Sequence, residues 1–205
     1  MSPETLTFGP LQVAFDDAVL RPRPWTLLQS SWAAELAADL PPGSILELCA
    51  GAGHIGQAAV LSRCALVQVD ADPGACRWAR LNAEANVSTP VDVRCGDLDD
   101  VVQVGERFAV VLADPPYLPR DEVDDHDDPT HAVDGDPDGL ELSRRCVAVA
   151  GADVADGGAV LLQARGRGQV ESLAGALAAA ALELVEVRSH DDDRAVALLR
   201  PVRRS

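Results

Sequence analysis

The segment ILELCAGAGHIG (Ile45–Gly56) decides the fold class, because a short apolar run meets a glycine turn and then a helical pattern. The breaker PPG precedes this segment, so we predict a strand over Ser44–Ala50 and a helix over His54–Arg63. Gly51 and Gly53 permit a tight turn in which the backbone and the N–H groups of the helix N-terminus can meet a ligand. The same turn is also a common structural connection, and both interpretations stay open for this segment alone.

Outward from this unit, apolar strands alternate with helices along the chain. The remaining strands are predicted over Ala65–Asp72, Val91–Leu98, Phe108–Pro116, Gly158–Ala164, Leu184–His190 and Arg194–Val202, and the remaining helices over Pro73–Val87, Leu140–Ala150 and the alanine-rich stretch that begins at Ser172. Strands separated by helices pair in parallel, with helices on both faces of the sheet. The last two strands flank the short turn DDD and form a hairpin. The predicted fold is α/β: a doubly wound, mostly parallel seven-stranded sheet with a C-terminal antiparallel hairpin.

The size and composition of the chain limit its organisation and its partners. We predict one domain over residues 41–205, preceded by an extension over residues 1–40 whose first helix packs on the core. The 33 acidic residues against 17 basic ones, all arginine, give a formal charge of −16, which argues against a free-standing nucleic-acid binder. No signal peptide or span of ~20 apolar residues is visible, and the five scattered cysteines are typical of buried, reduced thiols. We therefore expect a cytoplasmic protein without a membrane segment.

Ligands of such a sheet bind beyond the carboxyl ends of the strands, and acidic residues stand at those ends. Asp70 follows the glycine turn by about 20 residues, where a carboxylate can accept hydrogen bonds from ribose hydroxyls. Asp72 precedes Pro73 and is assigned the helix cap instead. Asp97 is a candidate acceptor for an adenine amine, with an exposed turn as its alternative. Glu47, expected to face the same cleft, favours a cationic ligand over a pyrophosphate.

The segment ADPPY, which ends the fourth predicted strand, carries the candidate chemistry. A planar amide or aromatic amine nitrogen is a poor nucleophile, and acceptors aimed at its N–H bonds favour the rehybridised form that attacks an electrophile. Asp114 supplies one acceptor and the carbonyl of Pro115 a second. Pro115 and Pro116 stiffen the turn, and Tyr117 offers a flat face to a planar group.

These strand-end motifs together resemble the Rossmann-like, class I methyltransferases that depend on S-adenosylmethionine. Two further segments, LRPRPWT (Leu20–Thr26) and AVDGDPDGLELSRR (Ala132–Arg145), are similar to elements of the HemK-type enzymes, which methylate the glutamine side-chain amide of translation release factors. The resemblance implies S-adenosylmethionine as cofactor and a protein as substrate. The cofactor residues that it implies are Thr26, Glu47, Cys49, Ala50, Gly51, Gly53, Asp70, Ala71, Asp97, Leu98 and Asp114.

The chain departs from the HemK-type pattern in two ways. Those enzymes have NPPY where this chain has DPPY, and the aspartate form is familiar from methyltransferases of exocyclic amines of adenine or guanine in RNA or DNA. The bacterial enzymes also carry an extra helical N-terminal domain, for which we expect no room in the roughly 40 residues before PPGSILEL, and short relatives can use a small activating partner. A nucleobase methyltransferase therefore remains the alternative, followed by a small-molecule N-methyltransferase and a non-catalytic cofactor-binding subunit.

The acidic segment Arg120–Gly139 shows no periodic pattern, and its length is typical of a functional or disordered loop, here a candidate lid ordered by substrate. It begins to imitate a calcium loop at Asp134, but the twelfth position is Arg145 where a glutamate is needed. His126 and His131 are interpreted as solvated, so we expect no metal site. The dense negative charge favours a basic protein surface over a phosphate backbone.

Overall fold

The computed structural model of the protein describes residues 3–40, 43–60, 64–118 and 138–202. The strands are β1 Glu4–Phe8, β2 Leu11–Phe15, β3 Ile45–Leu48, β4 Leu66–Asp70, β5 Val91–Cys95, β6 Phe108–Ala113, β7 Val154–Ala164, β8 Leu182–Ser189 and β9 Ala195–Pro201. The helices are α1 Leu27–Asp39, α2 His54–Val60, α3 Pro73–Asn86, α4 Leu98–Val101, α5 Glu141–Asp153, α6 Gly166–Ser172 and α7 Ala174–Ala179, and a 3-10 turn, Pro24–Thr26, leads into α1.

The main sheet has seven strands in the order β5-β4-β3-β6-β7-β9-β8. β3 pairs in parallel with β4 and β6, and β9 runs antiparallel to both β7 and β8. The predicted doubly wound, mostly parallel sheet with a C-terminal hairpin is confirmed. The strand order reverses between β3 and β6, so a crevice is expected beyond the carboxyl ends of these two strands.

Central strands are buried on both faces, which explains their nearly continuous apolar sequences. All four residues of β3 are buried. On one face of the sheet Leu46 and Leu48 pack in a cluster with residues of α5, α6 and α7, and on the other Ile45 packs with Trp32 of α1 and Ile55 of α2. The helix α1 of the N-terminal extension is therefore one of the layers that cover the sheet.

The N-terminal extension also contains a hairpin, β1–β2, that our sequence analysis did not identify. Its strands are five residues long and are joined at Gly9, whose φ of 52° is in the left-handed region. In β2 only Leu11, Val13 and Phe15 are fully buried, and they pack against Trp78 of α3. Such short strands give a weak periodic signal, and their burial depends on a helix that comes sixty residues later.

Two details of the sequence-based assignment differ from the structure. The alanine-rich helix is short: α7 ends at Ala179, Ala181 adopts a left-handed φ of 53°, and a separate helix, α6, precedes it. Cys95, predicted to be buried, is exposed because β5 is an edge strand of the sheet. Neither difference alters the position of the strand ends that surround the crevice.

Candidate active site

A cleft of about 290 Å³ opens beyond the carboxyl ends of β3, β4, β5 and β6. This volume lies at the lower end of the range typical of small-molecule sites, roughly 300–1,000 Å³. Its walls are formed by residues 18–21, Arg23, Thr26, Cys49–Ala52, His54, Ile55, Val69–Asp72, Gly96–Leu98, Asp114, Pro116, Leu142 and Arg145. The cleft therefore collects side chains from the four strand ends, from the N-terminal extension and from α5.

The loop after β3 forms the floor of the cleft in a constrained conformation. Cys49, Gly51 and Gly53 have φ values of 56°, 53° and 80°, all in the left-handed region. This conformation is costly for Cys49, which carries a Cβ atom. The loop is fixed by hydrogen bonds from the Ala50 N–H to the Val69 carbonyl, 3.0 Å, and from the Gly53 N–H to the Ala50 carbonyl, 2.8 Å. The strained turn exposes loop backbone to the cleft.

Glu47 lies beneath this loop and not in the cleft, contrary to our expectation. It is 2% exposed, and its carboxylate accepts hydrogen bonds from the Gly56 N–H, 3.0 Å, and from Nε2 of Gln68, 2.5 Å. Burial raises the pKa of Glu47 to about 7, although these two hydrogen bonds oppose the rise. A Cβ atom on Gly56 would collide with this carboxylate, so a larger residue there would displace it. Glu47 thus joins β3 to the start of α2.

The two aspartates at the carboxyl end of β4 have different roles, and the prediction that Asp72 is the helix cap is confirmed. Asp72 caps α3 by accepting from the N–H groups of Gly74, 2.7 Å, and Ala75, 2.9 Å. Asp70 lines the cleft, and its carboxylate accepts from the N–H groups of Gly51, 2.8 Å, and Asp72, 2.9 Å. Asp70 therefore ties the glycine loop to the end of β4 and borders the cleft.

Asp97, after β5, is hydrogen-bonded and ion-paired to other residues of the protein. Its carboxylate accepts from the Asp99 N–H, 3.0 Å, as the N-cap of α4, and it pairs with the guanidinium of Arg145, which also contacts Asp99 at 2.5 Å. The Asp99 N–H and, to a smaller extent, Arg145 lower the pKa of Asp97. The cleft edge at α5 is thus an ion-paired wall with the apolar side chains of Leu98 and Leu142 beside it.

Asp114, after β6, differs from the other carboxylates of the cleft. It is half-buried, and burial raises its pKa to about 7. Within the described ranges of the chain, no residue donates a hydrogen bond to its carboxylate or pairs with it. The group is therefore an acceptor at the wall of a cleft that has no partner among the residues described.

The rest of the segment after β6 is packed against the protein. Pro115 is buried, and Tyr117 is half-buried with its hydroxyl near the side chains of Trp25 and Gln163. Burial and the neighbouring Asp114 charge raise the pKa of Tyr117 to about 12, so the phenol is neutral. Pro116 lines the cleft beside Asp114. The segment presents Asp114 to the cleft while its aromatic residue faces the N-terminal extension.

Comparison with known proteins identifies the family. A model described as the methyltransferase small domain matches residues 31–133, half of the chain. The chain belongs to the methyltransferase small domain family. The matched range contains β3 to β6, which supply the strand ends of the cleft.

Two curated relatives and one solved structure illustrate the similarity of this methyltransferase small domain protein. The release factor glutamine methyltransferase of Mycolicibacterium smegmatis is 34% identical over 165 residues, which cover 75% of this chain and 57% of the relative. The protein of the same name from Corynebacterium glutamicum is 32% identical over 167 residues, with 76% and 59% covered. The crystal structure of ribosomal protein L11 methylase from Lactobacillus delbrueckii subsp. bulgaricus aligns with a TM-score of 0.65 at 15% identity, over 91% of this chain and 84% of that one. The chain thus spans less than two thirds of each curated relative, and the structural likeness confirms the class I fold.

The residues predicted for the site of this family member separate into two groups. Those that line the cleft are Thr26, Cys49, Ala50, Gly51, Asp70, Ala71, Asp97, Leu98, Asp114 and Pro116. Glu47, Gly53, Pro115 and Tyr117 do not line it; they lie beneath or beside the residues that do. Gly53 is buried, and a Cβ atom there would come within 2.5 Å of the Gln57 amide.

Several residues of the cleft were missed from the sequence. His54 is 8% exposed, burial lowers its pKa to about 3, and its Nε2 lies 3.4 Å from Oγ1 of Thr26. Its position just after the glycine turn was a usable signal. Arg23 and Arg145 also line the cleft. Both lie in segments noted for their resemblance, Leu20–Thr26 and Ala132–Arg145, but neither was singled out as a site residue.

Some sequence-based predictions fall largely outside the described residues. The candidate lid Arg120–Gly139, the histidines 126 and 131 and the start of the calcium-like segment at Asp134 lie there, apart from residues 138 and 139. In the described part of the chain, no cluster of His, Cys, Asp and Glu has an arrangement suited to a metal ion. None of the described helices has the length and apolar character needed to cross a membrane.

Proposed function

We propose that the protein transfers the methyl group of S-adenosylmethionine to the side-chain amide nitrogen of a glutamine in a protein, with a translation release factor as the substrate. The observation that carries this proposal is Asp114: a half-buried carboxylate without a partner in the described structure, at the wall of a cleft. The family match and the names of the curated relatives support the same reaction.

The residues of the cleft fit the proposed cofactor. Asp70 borders the cleft where ribose hydroxyls can donate to its carboxylate, and the strained loop at Gly51 offers backbone to the methionine part. Leu98 and Leu142 provide an apolar surface for a flat adenine ring. The four carboxylates that line the cleft, of Asp70, Asp72, Asp97 and Asp114, suit a cationic sulfonium better than a pyrophosphate.

The chemistry assigned to the protein is positioning and polarisation of the acceptor nitrogen. The cofactor supplies an electrophilic methyl group on a sulfonium sulfur. Asp114 accepts a hydrogen bond from the acceptor N–H and thereby favours the rehybridised nitrogen. The lone pair of that nitrogen would form the new N–C bond while the bond from the methyl carbon to sulfur breaks and its electron pair stays on sulfur. The surplus proton of the methylated nitrogen passes to Asp114 or to solvent. Pro115 and Pro116 keep Asp114 in place, since such a transfer is sensitive to small displacements.

The chemistry of the chain supports a protein acceptor over a nucleic acid. A formal charge of −16 opposes the approach of a phosphate backbone and attracts a basic protein surface. One observation favours the alternative, an exocyclic amine of a nucleobase: position 114 is aspartate, whereas the HemK-type pattern has asparagine. We weigh the charge and the relatives above this single substitution. In this proposal residues 41–205 carry the reaction, residues 1–40 add Thr26 to the cleft, and the reaction takes place in the cytoplasm with the translation apparatus.

Binding and transfer experiments test the proposal separately. Calorimetric titration with S-adenosylhomocysteine is expected to give saturable binding with one site per chain. Labelled S-adenosylmethionine is then offered with a purified bacterial release factor, with ribosomal RNA and with transfer RNA, and label is expected in the release factor at a glutamine. Label found only in RNA overturns the choice of substrate. If S-adenosylhomocysteine does not bind, the assignment of S-adenosylmethionine as cofactor fails.

A further inference from the structure

The segment Asp114–Tyr117 is anchored through the backbone carbonyls at its two ends. Proline has no N–H group, so Pro115 and Pro116 cannot donate hydrogen bonds that would hold the segment. Two backbone anchors are the carbonyl of Ala113, just before the segment, and that of Tyr117 at its end. Each of these carbonyls accepts a hydrogen bond from a glutamine side chain that is distant in sequence.

Gln29 of α1 holds the front of the segment. It is fully buried, and its Nε2 donates both to the Ala113 carbonyl, 3.1 Å, and to the Leu161 carbonyl, 2.9 Å. Ala113 is the last residue of β6, and Leu161 lies in the neighbouring strand β7. The amide therefore joins the two strands at the point where β6 ends and Asp114 begins.

Gln169 of α6 holds the back of the segment. Its Nε2 donates to the Tyr117 carbonyl, 2.8 Å, with a longer contact of 3.4 Å to the Gly139 carbonyl. Its Oε1 accepts from the N–H of Arg165, 2.7 Å, the residue that precedes α6. Because the Gln169 amide is itself fixed by this bond, its N–H group is held in place for the carbonyl of Tyr117.

We propose that Gln169 is a positioning residue that, together with Gln29, clamps the segment Asp114–Tyr117 and so sets where the Asp114 carboxylate meets the acceptor nitrogen. This inference rests on the proposed function, since it assigns Asp114 to the acceptor. The two glutamines bind the backbone carbonyls of Ala113 and Tyr117 and not the Asp114 side chain. The Asp114 carboxylate therefore stays available for the acceptor nitrogen. A displacement of about 1 Å in a positioned group can cost on the order of a hundredfold in rate.

Gln169 is the residue to test, because it is half-buried whereas Gln29 lies in the core. In Gln169→Glu one carboxylate oxygen still accepts from the Arg165 N–H, but the other faces the Tyr117 carbonyl and repels it. Ser172→Ala is the matched control, since Ser172 lies on the same helix and its hydroxyl bonds only locally to the Gly168 carbonyl at 3.0 Å.

Gln169→Glu is expected to lower kcat for methyl transfer to the release factor at least tenfold. The dissociation constant of S-adenosylhomocysteine is expected to stay within threefold of the wild-type value. Hydrogen exchange measured by mass spectrometry is expected to accelerate in residues 113–118. Ser172→Ala is expected to match the wild type in all three measurements.

Wild-type kcat and wild-type exchange in Gln169→Glu overturn the clamp, and so does an equal loss of kcat and cofactor affinity, which indicates a general structural role. If the wild-type protein neither binds S-adenosylhomocysteine nor transfers a methyl group, the proposed function fails instead. The exchange measurement then still decides whether Gln169 orders the segment, because it requires neither cofactor nor acceptor.

Discussion

At the scale of single residues, the carboxylates of the cleft differ in the number of hydrogen bonds and ion pairs that they make within the protein. Asp70 and Asp97 each accept backbone hydrogen bonds, and Asp97 is also ion-paired with Arg145. Asp114 has no partner among the described residues, and burial raises its pKa to about 7. Because a carboxylate accepts hydrogen bonds better when ionised, this raised pKa connects the state of Asp114 to pH in the neutral range.

We predict that protonation of Asp114 lowers the rate of the reaction at acidic pH, which gives the pH profile an acidic limb. Below about pH 7 the carboxyl group of the free enzyme is protonated, so kcat/KM measured with S-adenosylmethionine as the varied substrate is expected to fall roughly tenfold per pH unit. The sulfonium charge stabilises the carboxylate in the complex, so the limb of kcat is expected at lower pH. Asp114→Asn retains an oxygen acceptor that does not titrate, and is expected to be active without this limb.

The asparagine variant also separates Asp114 from Glu47, whose pKa is raised to a similar value. An acidic limb that persists in Asp114→Asn assigns the titration to another group and contradicts the prediction. Asp114→Ala is the complementary variant: it lacks the acceptor, and kcat is expected to drop by roughly a hundredfold or more while S-adenosylhomocysteine still binds.

At the scale of secondary-structure elements, buried polar side chains join the strands to the helices that follow them. Glu47 bonds the N-terminus of α2, and Gln68 of β4 bonds both Glu47 and the Gly53 carbonyl, 2.8 Å. Gln57 completes the chain by donating to Gln68, 3.1 Å, and to the Ala79 carbonyl of α3, 2.9 Å. This network holds the glycine loop against β3 and β4, and it requires the carboxyl group of Glu47 to be buried.

We predict that Glu47 makes stability decrease with rising pH. Its pKa is about 7 in the folded protein and near 4.5 when unfolded, so the folded state binds the proton more tightly. By linkage, its contribution is fully present below about pH 4.5 and is lost as the pH rises to about 7, a change of about 3 kcal/mol. In Glu47→Gln this dependence is absent, although the amide replaces an acceptor of the Gln68 N–H and lowers stability overall.

Urea unfolding at pH 5, 6, 7 and 8 measures this effect as the difference between wild type and Glu47→Gln. The difference is expected to be largest at pH 5 and to shrink by about 3 kcal/mol by pH 8. Glu35→Gln serves as the control, because Glu35 is an exposed carboxylate that pairs with Arg188 on the surface. A difference for Glu47→Gln that stays constant with pH contradicts the prediction.

At the scale of the whole molecule, sequence patterns predicted the sheet and the strand ends but not the side chains that connect distant elements. Apolar runs and glycine turns are local signals, so β3 to β9 and the positions of Asp70, Asp97 and Asp114 were accessible from the sequence. Gln169, Arg145 and the β1–β2 hairpin depend on contacts between residues about fifty or more positions apart. Such contacts leave no periodic trace, because a single polar side chain meets a single backbone group.

The hairpin is coupled to the cleft through α3. Asn82, 1% exposed, accepts from the Ala14 N–H, 2.8 Å, and donates to the carbonyls of Ala14, 2.9 Å, and Ala52, 3.0 Å. Asn86, one turn later, makes the equivalent pair of bonds to the N–H and carbonyl of Gln12 at 2.9 and 3.0 Å. The two asparagines thus continue the edge of β2 like a neighbouring strand, but only Asn82 also holds the glycine loop.

This difference predicts that the two asparagines affect the cleft unequally. Asn82→Ala and Asn86→Ala both remove two hydrogen bonds to β2, so both are expected to lower the melting temperature. Only Asn82→Ala releases the Ala52 carbonyl between Gly51 and Gly53, and it is expected to weaken S-adenosylhomocysteine binding about tenfold, about 1.4 kcal/mol, against less than threefold for Asn86→Ala. Calorimetric titration of both variants, below their melting temperatures, measures the two affinities. Equal affinities in the two variants would mean that the hairpin stabilises the fold without supporting the loop, because the Ala52 bond is the difference between them that bears on the cleft.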